Sequence, residues 1–392
     1  MAGKEVWHVL VVDDEDEICR QIKEHYTGWE HSSNLLHVET LTDFTQAMNM
    51  IERQRFDLLI IDVFKGPPIE AGEAAGIDVF ERIKSKRFMP VIFYTALPAS
   101  VGDIQNPLVK VAEKSGEAFS SLDQKVKEYL EAPLMRIIRE LNRHVDETIR
   151  SYLWDFVPDH WDEFLKSKDD AALAYLLCRR LADSLDINGA DRLASGLNPQ
   201  NAAAARCVAE QKAHPLRYYI LPPSGGECRT GDVIKKPAQQ GPSSYYLVLT
   251  PWCDLIDHPG KPKKAEHVLL VRCILLEDFT EYNEWTRKGA PPSAKTRLES
   301  LIGTPDKEPE GRQRGRYFFL PGVLGLPDLV VDFQQSCTEK VDQLSSYERI
   351  ATLDSPFCES VMACFTRFIG RIGKPDLDIE MVIENLSAKK KS

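Results

Sequence analysis

Three runs near the start of the chain are apolar at consecutive positions, and each ends on a polar side chain. Residues 9–15 read VLVVDDE, 58–64 read LLIIDVF and 90–96 read PVIFYTA. A short run without polar alternation is what a strand buried on both faces of a parallel sheet requires. Between these runs, apolar residues recur at three- and four-residue steps and predict helices. One covers 16–26 with Ile18 and Ile22 inward, one covers 43–53 started by Thr42 or Asp43, and one covers 76–84 with Val79, Phe80 and Ile83 inward. Residues 35–41 add a strand, and the alternation over 108–112 adds another. Strand and helix in turn predict an α/β fold, a doubly wound parallel sheet over residues 1–121.

Open sheets of this kind bind ligands at the carboxyl ends of their strands. The predicted strands deliver Asp13, Asp14, Asp62 and Thr95 to that rim, with Lys114 after the strand over 108–112. Two adjacent acids near a third form a hard oxygen site suited to Mg2+, and such an ion would neutralise an incoming phosphoryl group. A single aspartate at a strand end is ordinary capping chemistry; five such residues in this order are more specific.

The set resembles the receiver (CheY-like) domain of two-component response regulators. That resemblance implies that Asp13, Asp14 and Asp62 hold Mg2+ with the main-chain carbonyl of Phe64. It implies that Asp62 accepts a phosphoryl group from a sensor histidine kinase or phosphotransfer protein, and that Thr95 and Lys114 contact it. The sequence departs from the family pattern in places. The loop after Asp62, KGPPIEAGEAAG, is long, and Pro98, Gly102 and Pro107 leave little room for a helix before Lys114. Ser115 stands where the family has proline, Val111 where it has an aromatic switch residue, and Lys110 is a rival for the cation.

Beyond residue 121 the pattern changes. Over 122–153, Leu130, Leu134, Ile137, Leu141, Val145 and Ile149 form a helical stripe, with Pro133 either starting or bending a helix. The steps fit a coiled coil that makes a homodimer and equally a core helix. Trp154, Phe156 and Trp161 anchor its end. A second helix covers 169–185, followed by a break over 188–198 and an alanine-rich helix over 202–212, so that 122–212 forms a helical connector. Arg179, Arg180 and Arg192 read as solvated positions without a recognition helix.

Residues 213–392 form an α+β output module. Runs over 216–221, 245–250, 267–276, 316–320 and 329–333 predict an antiparallel sheet or small barrel, with a long loop over 288–315 and a helix over 354–370 carrying Phe357, Val361, Phe365 and Phe368 inward. TPWCDL, with Cys253 and Asp254 close in sequence to His258 and His267, is its most chemical stretch: a nucleophile with its base, part of a metal site, or a thiol and a turn-capping acid. TGDVI, containing Asp232, faintly resembles the opening of toxin endoribonucleases of the PemK and MazF kind over about twenty residues. Arg371 and Lys374 lie beside glycines where a helix end is the simpler reading than a phosphate nest. Two outputs stay open: binding or assembly, or a receiver-gated nuclease or thiol-dependent hydrolase.

Composition narrows the partners. The chain has 392 residues and a net charge of −11, which opposes broad binding to nucleic acid or anionic membrane. No run approaches membrane-span length and no signal-peptide core precedes Val12, so a cytoplasmic location is expected. Nine dispersed cysteines without a CxxC pair read as reduced thiols.

Overall fold

The computed structural model describes residues 5–66, 74–114, 119–167, 170–185, 212–238, 241–256, 265–303, 315–371 and 377–389. The chain divides into two units, Met1–Ala205 and Arg206–Ser392.

The first unit is built on six strands: β1 (Glu5–Val12), β2 (Glu30–His31), β3 (Asn34–Leu41), β4 (Leu58–Ile61), β5 (Val91–Thr95) and β6 (Val109–Glu113). Their order is β2-β3-β1-β4-β5-β6. All neighbours are parallel except β2 with β3. Helices α1 (Asp16–Tyr26), α2 (Phe44–Arg53), α3 (Ala75–Lys86) and α4 (Ser120–Glu131) cover the sheet. The unbroken apolar runs are explained by two cores. Leu10, Val12, Leu59, Ile61 and Phe93 pack with residues of α2 and α3, whereas Val9, Val11, Ile60, Ile92 and Tyr94 pack with residues of α1 and α4. Successive residues feed opposite faces, each full burial contributing about 1.5–3 kcal/mol. Asp43 caps α2, its carboxylate accepting from the N–H groups of Thr45 at 2.7 Å and Gln46 at 3.0 Å.

Three local features refine the sequence expectation. β2 is a short antiparallel addition joined to β3 through Ser32 and Ser33, both at positive φ. Serine is not the residue that normally marks such a hairpin turn. Between β5 and β6 the chain forms a 3-10 helix, Pro98–Ile104, as the limited room suggested. The stripe over 122–153 is not one helix: α4 ends at Glu131, and Pro133 starts α5 (Pro133–Ser151). In α4, Leu122, Val126, Tyr129 and Leu130 are buried in the sheet core, so the helix expected to begin the connector covers the receiver sheet. Its Tyr129 hydroxyl donates to the Val91 carbonyl at 3.1 Å. Helices α6 (Trp161–Ser167) and α7 (Asp170–Ser184) follow. The break over 188–198, the alanine-rich helix up to residue 211, Arg192 and Ser115 lie outside the described residues.

The second unit is an open seven-stranded antiparallel sheet of β7 (Tyr219–Ile220), β8 (Asp232–Lys236), β9 (Ser244–Val248), β10 (His267–Leu275), β11 (Tyr317–Leu320), β12 (Leu329–Lys340) and β13 (Glu348–Leu353). The order is β11-β12-β10-β9-β8-β13-β7. Its helices are α8 (Trp252–Leu255), α9 (Thr280–Thr286), α10 (Pro292–Ile302), α11 (Phe357–Ile369) and α12 (Ile379–Lys389). Val361, Phe365 and Phe368 of α11 pack on one face of the sheet. The strand expected over 216–221 is mostly a 3-10 turn, Pro215–Tyr218: Pro215 sets its start and His214 Nδ1 accepts the Leu216 N–H. The long loop expected from residue 288 contains α10, whose Ala294, Leu298 and Leu301 are buried. No helix among the described residues is long and apolar enough to cross a membrane.

Candidate functional site

Main-chain hydrogen bonds extend the parallel ladder of the first unit one residue past its strands. The Asp13 N–H donates to Leu41, that of Asp62 to Val12 at 2.9 Å, and that of Lys114 to Thr95 at 2.9 Å. The backbone thereby holds Asp13, Asp62, Thr95 and Lys114 at one rim. Carboxylate oxygens of Asp13, Asp14 and Asp62 all lie within 4.8 Å of one another. Lys114 Nζ stands between two of them, 2.7 Å from both Asp13 and Asp62.

The three acids are held differently. Asp13 is only 2% exposed and accepts the Glu15 N–H at 3.0 Å. Burial pushes its carboxyl up to about 6, against the opposing hydrogen bond and charge of Lys114. Asp62 Oδ1 accepts its neighbour's N–H, from Val63, at 2.7 Å, leaving Oδ2 to the lysine. Asp14 accepts the Gly66 N–H at 2.7 Å and so anchors the loop that leaves Asp62; Gly66 has φ of 88°. Burial works against the Lys114 charge, but the hydrogen bonds it donates to both acids outweigh it and raise its pKa. Lys114 therefore stays cationic. One ammonium beside three carboxylates leaves negative charge uncompensated, and this hard oxygen donor set fits a divalent cation.

Close packing fixes the backbone of Asp62 from behind. A Cβ added at Gly76, at the start of α3, would lie 1.9 Å from the Asp62 carbonyl oxygen. Only glycine permits that approach. Thr95, 1% exposed, accepts the Leu97 N–H at 3.2 Å through its hydroxyl oxygen. Lys110, the rival cation, is engaged elsewhere: it pairs with Glu128 and lies 4.6 Å from the Tyr129 ring centroid. Val111 packs against the core shared with α2 and α3, and Phe64 is half-buried beside it.

Among the described residues, the C-terminal candidates form no metal-ligating cluster. Cys253 is exposed on α8, 3.7 Å from the Asp254 carboxylate. Asp232, fully buried, accepts from Arg349 Nε at 2.7 Å, from the Thr352 hydroxyl at 2.5 Å and from the Arg229 N–H at 2.8 Å. His258 lies outside the described residues, and His267 is exposed at the start of β10. A cavity of about 300 Å³ in this unit is lined by Cys228, Ile234, Leu255, Leu344, Tyr347 and Arg349, not by Cys253. Burial pushes the Cys228 thiol up to about 12, with Asp232 adding to the effect, so it is not a ready nucleophile. Arg371 caps the end of α11, donating to the Phe368 carbonyl at 2.9 Å, and Lys374 lies outside the described residues. The sequence reading missed Arg349, which meets Asp232 only once distant strands align, and the Arg316–Asp332 pair, which forms across the neighbouring strands β11 and β12.

Residues 9–106 match the response regulator receiver domain family. Among solved structures, the chain is similar to response regulator TrrA of Thermotoga maritima, solved in complex with Mg2+-BeF. There it has 27% identity over 31% of this chain and 97% of that one, with a TM-score of 0.26. The receiver domain of Francisella response regulator 1452 matches at 18% identity, covering 32% and 94%, with a TM-score of 0.23. A chemotaxis response regulator of Vibrio cholerae matches at 20%, covering 31% and 98%, with a TM-score of 0.22. No match is found among curated proteins. The fold and rim chemistry define a doubly wound α/β signalling module. The N-terminal part of this chain is a response regulator receiver domain.

Proposed function

We propose that the protein accepts a phosphoryl group on Asp62, with Mg2+ held by Asp13, Asp14, Asp62 and the Phe64 carbonyl, and that this state controls the C-terminal module by binding or assembly. The observation that carries it is the convergence of three carboxylates with Lys114 at 2.7 Å from two of them. The donor is a phosphohistidine of a sensor kinase or phosphotransfer protein. Asp62 Oδ2 forms the new O–P bond as the N–P bond breaks, and the imidazole leaves with the electron pair. Lys114, freed from the attacking oxygen, pairs with the added charge, and the Thr95 hydroxyl donates to a phosphoryl oxygen. A bound divalent cation supplies charge neutralisation at that centre. The transferred charge then alters the surface around Thr95 and β6, the usual logic of such switches.

The effector-enzyme alternative has less support, because Asp232 is saturated by Arg349 and Thr352 while, among the described residues, Cys253 is exposed and its only side-chain partner is Asp254. Incubating the full chain with acetyl phosphate and Mg2+ tests the proposal. One base-labile, hydroxylamine-sensitive phosphate per chain is expected, absent from Asp62→Asn. Label retained by that variant would place the acceptor elsewhere.

A further inference from the structure

Midway along two of the same strands, β1 and β3, is a second group of metal-ligating side chains. His8 of β1 and His37 of β3 are direct partners in the parallel register, and Leu10 pairs with Glu39 one pleat further along. His8, His37 and Glu39 share the sheet face of Leu10, Val12 and Leu41, because side chains two apart along a strand point the same way. The two imidazole rings meet edge to face, 5.4 Å between centroids, and both histidines are exposed. One ligand atom from each of the three residues lies within 4.8 Å of the others.

We propose that His8, His37 and Glu39 form a transition-metal site whose fitting ion is Zn2+. Two imidazoles and a carboxylate suit zinc rather than magnesium, and three protein ligands leave a fourth position open to solvent. Ligand atoms around tetrahedral zinc stand about 3.3 Å apart, so closing the site needs an inward shift of roughly 1.5 Å or less. Exposed side chains supply that by small rotations. A support already orients the carboxylate: Gln54, at the end of α2, donates from Nε2 to Glu39 Oε1 at 2.7 Å, leaving Oε2 for the ion. The strand backbone at His8 is held as well, its main-chain N–H donating to Asp57 Oδ2 at 2.9 Å. Five residues of extended strand separate His8 from Asp13, roughly 16 Å. The site is therefore separate from the acidic rim, and a metal there would clamp β1 to β3.

Calorimetric titration of the full chain, with any affinity tag removed, tests this. Zn2+ is added under excess Mg2+ and a non-thiol reductant, so that the acidic rim is occupied by the hard ion. The wild type should bind one equivalent more than a His8→Asn/His37→Asn double variant, and Glu39→Gln should weaken that equivalent at least tenfold. Asp13→Asn should leave it unchanged. With Co2+ as probe, the extra equivalent should show visible d–d absorbance without the thiolate charge-transfer band that cysteine ligation would produce. Equal stoichiometry and affinity in the wild type and the double variant would overturn the proposal. Should the double variant lose its wild-type circular dichroism, Glu39→Gln alone decides: unchanged affinity there also overturns it.

Discussion

Both units bury aspartates near a cation, yet they balance the charge differently. In the C-terminal unit the buried aspartates Asp232 and Asp332 each have their own guanidinium and further donors. Asp232 has Arg349, Thr352 and a main-chain N–H, and Asp332 has Arg316 at 2.6–2.7 Å with Gln335 at 2.9 Å. Burial alone would raise the Asp332 pKa, but these donors outweigh it and hold it below its ordinary value. At the receiver rim, one lysine serves two acids while a third contributes further negative charge, and Asp13 is pushed up to about 6 by burial. A saturated carboxylate braces a fold; an undercompensated cluster is poised for another charge.

The largest test removes a guanidinium. Arg349→Ala leaves the Asp232 carboxylate buried without its partner, and urea denaturation should show a loss of about 3–5 kcal/mol in the C-terminal unit. A loss below about 1 kcal/mol, the range of a surface pair, would break the contrast. At the rim the sign reverses. Asp13→Asn should stabilise the first unit in Mg2+-free buffer by on the order of 1–2 kcal/mol, because it removes a buried charge that lacks full compensation. Adding Mg2+ to a hundredfold excess over its dissociation constant should stabilise the wild type by about 2.7 kcal/mol and the variant far less. Destabilisation by Asp13→Asn without Mg2+ would make the rim a brace like the other site. The smallest effect is expected at Cys253→Ser: exposed on α8, it should stay within about 0.5 kcal/mol of wild type by thermal unfolding.

The receiver half was legible because its chemistry follows local order. Strands buried on both faces leave an unmistakable apolar run, and the rim residues come directly after such runs, so Asp13, Asp62, Thr95 and Lys114 could be found without pairing information. The C-terminal half depends on partners far apart in sequence. Asp232 and Arg349 are 117 residues apart and meet through the pairing of β8 with β13. The charged start of β13 also hid it from a search for apolar alternation. His8 and His37 were missed for the same reason: nothing in either run alone shows that the two will stand side by side. Gly76 lay in view, but its role required knowing that the Asp62 carbonyl would pass beneath it.

The break at Ala132 limits how two copies could associate through the helices that follow the sheet. Because α4 commits its apolar side inward, any intermolecular zipper has to begin in α5, where Leu134, Ile137 and Leu141 are exposed while Met135 is buried. Nineteen residues at 1.5 Å each give about 28 Å, fewer than three full heptads. That is shorter than the three to four heptads that mark a self-sufficient coil. Pairing by α5 alone would be weak and easily reversed, a property better suited to a switch than to a permanent dimer.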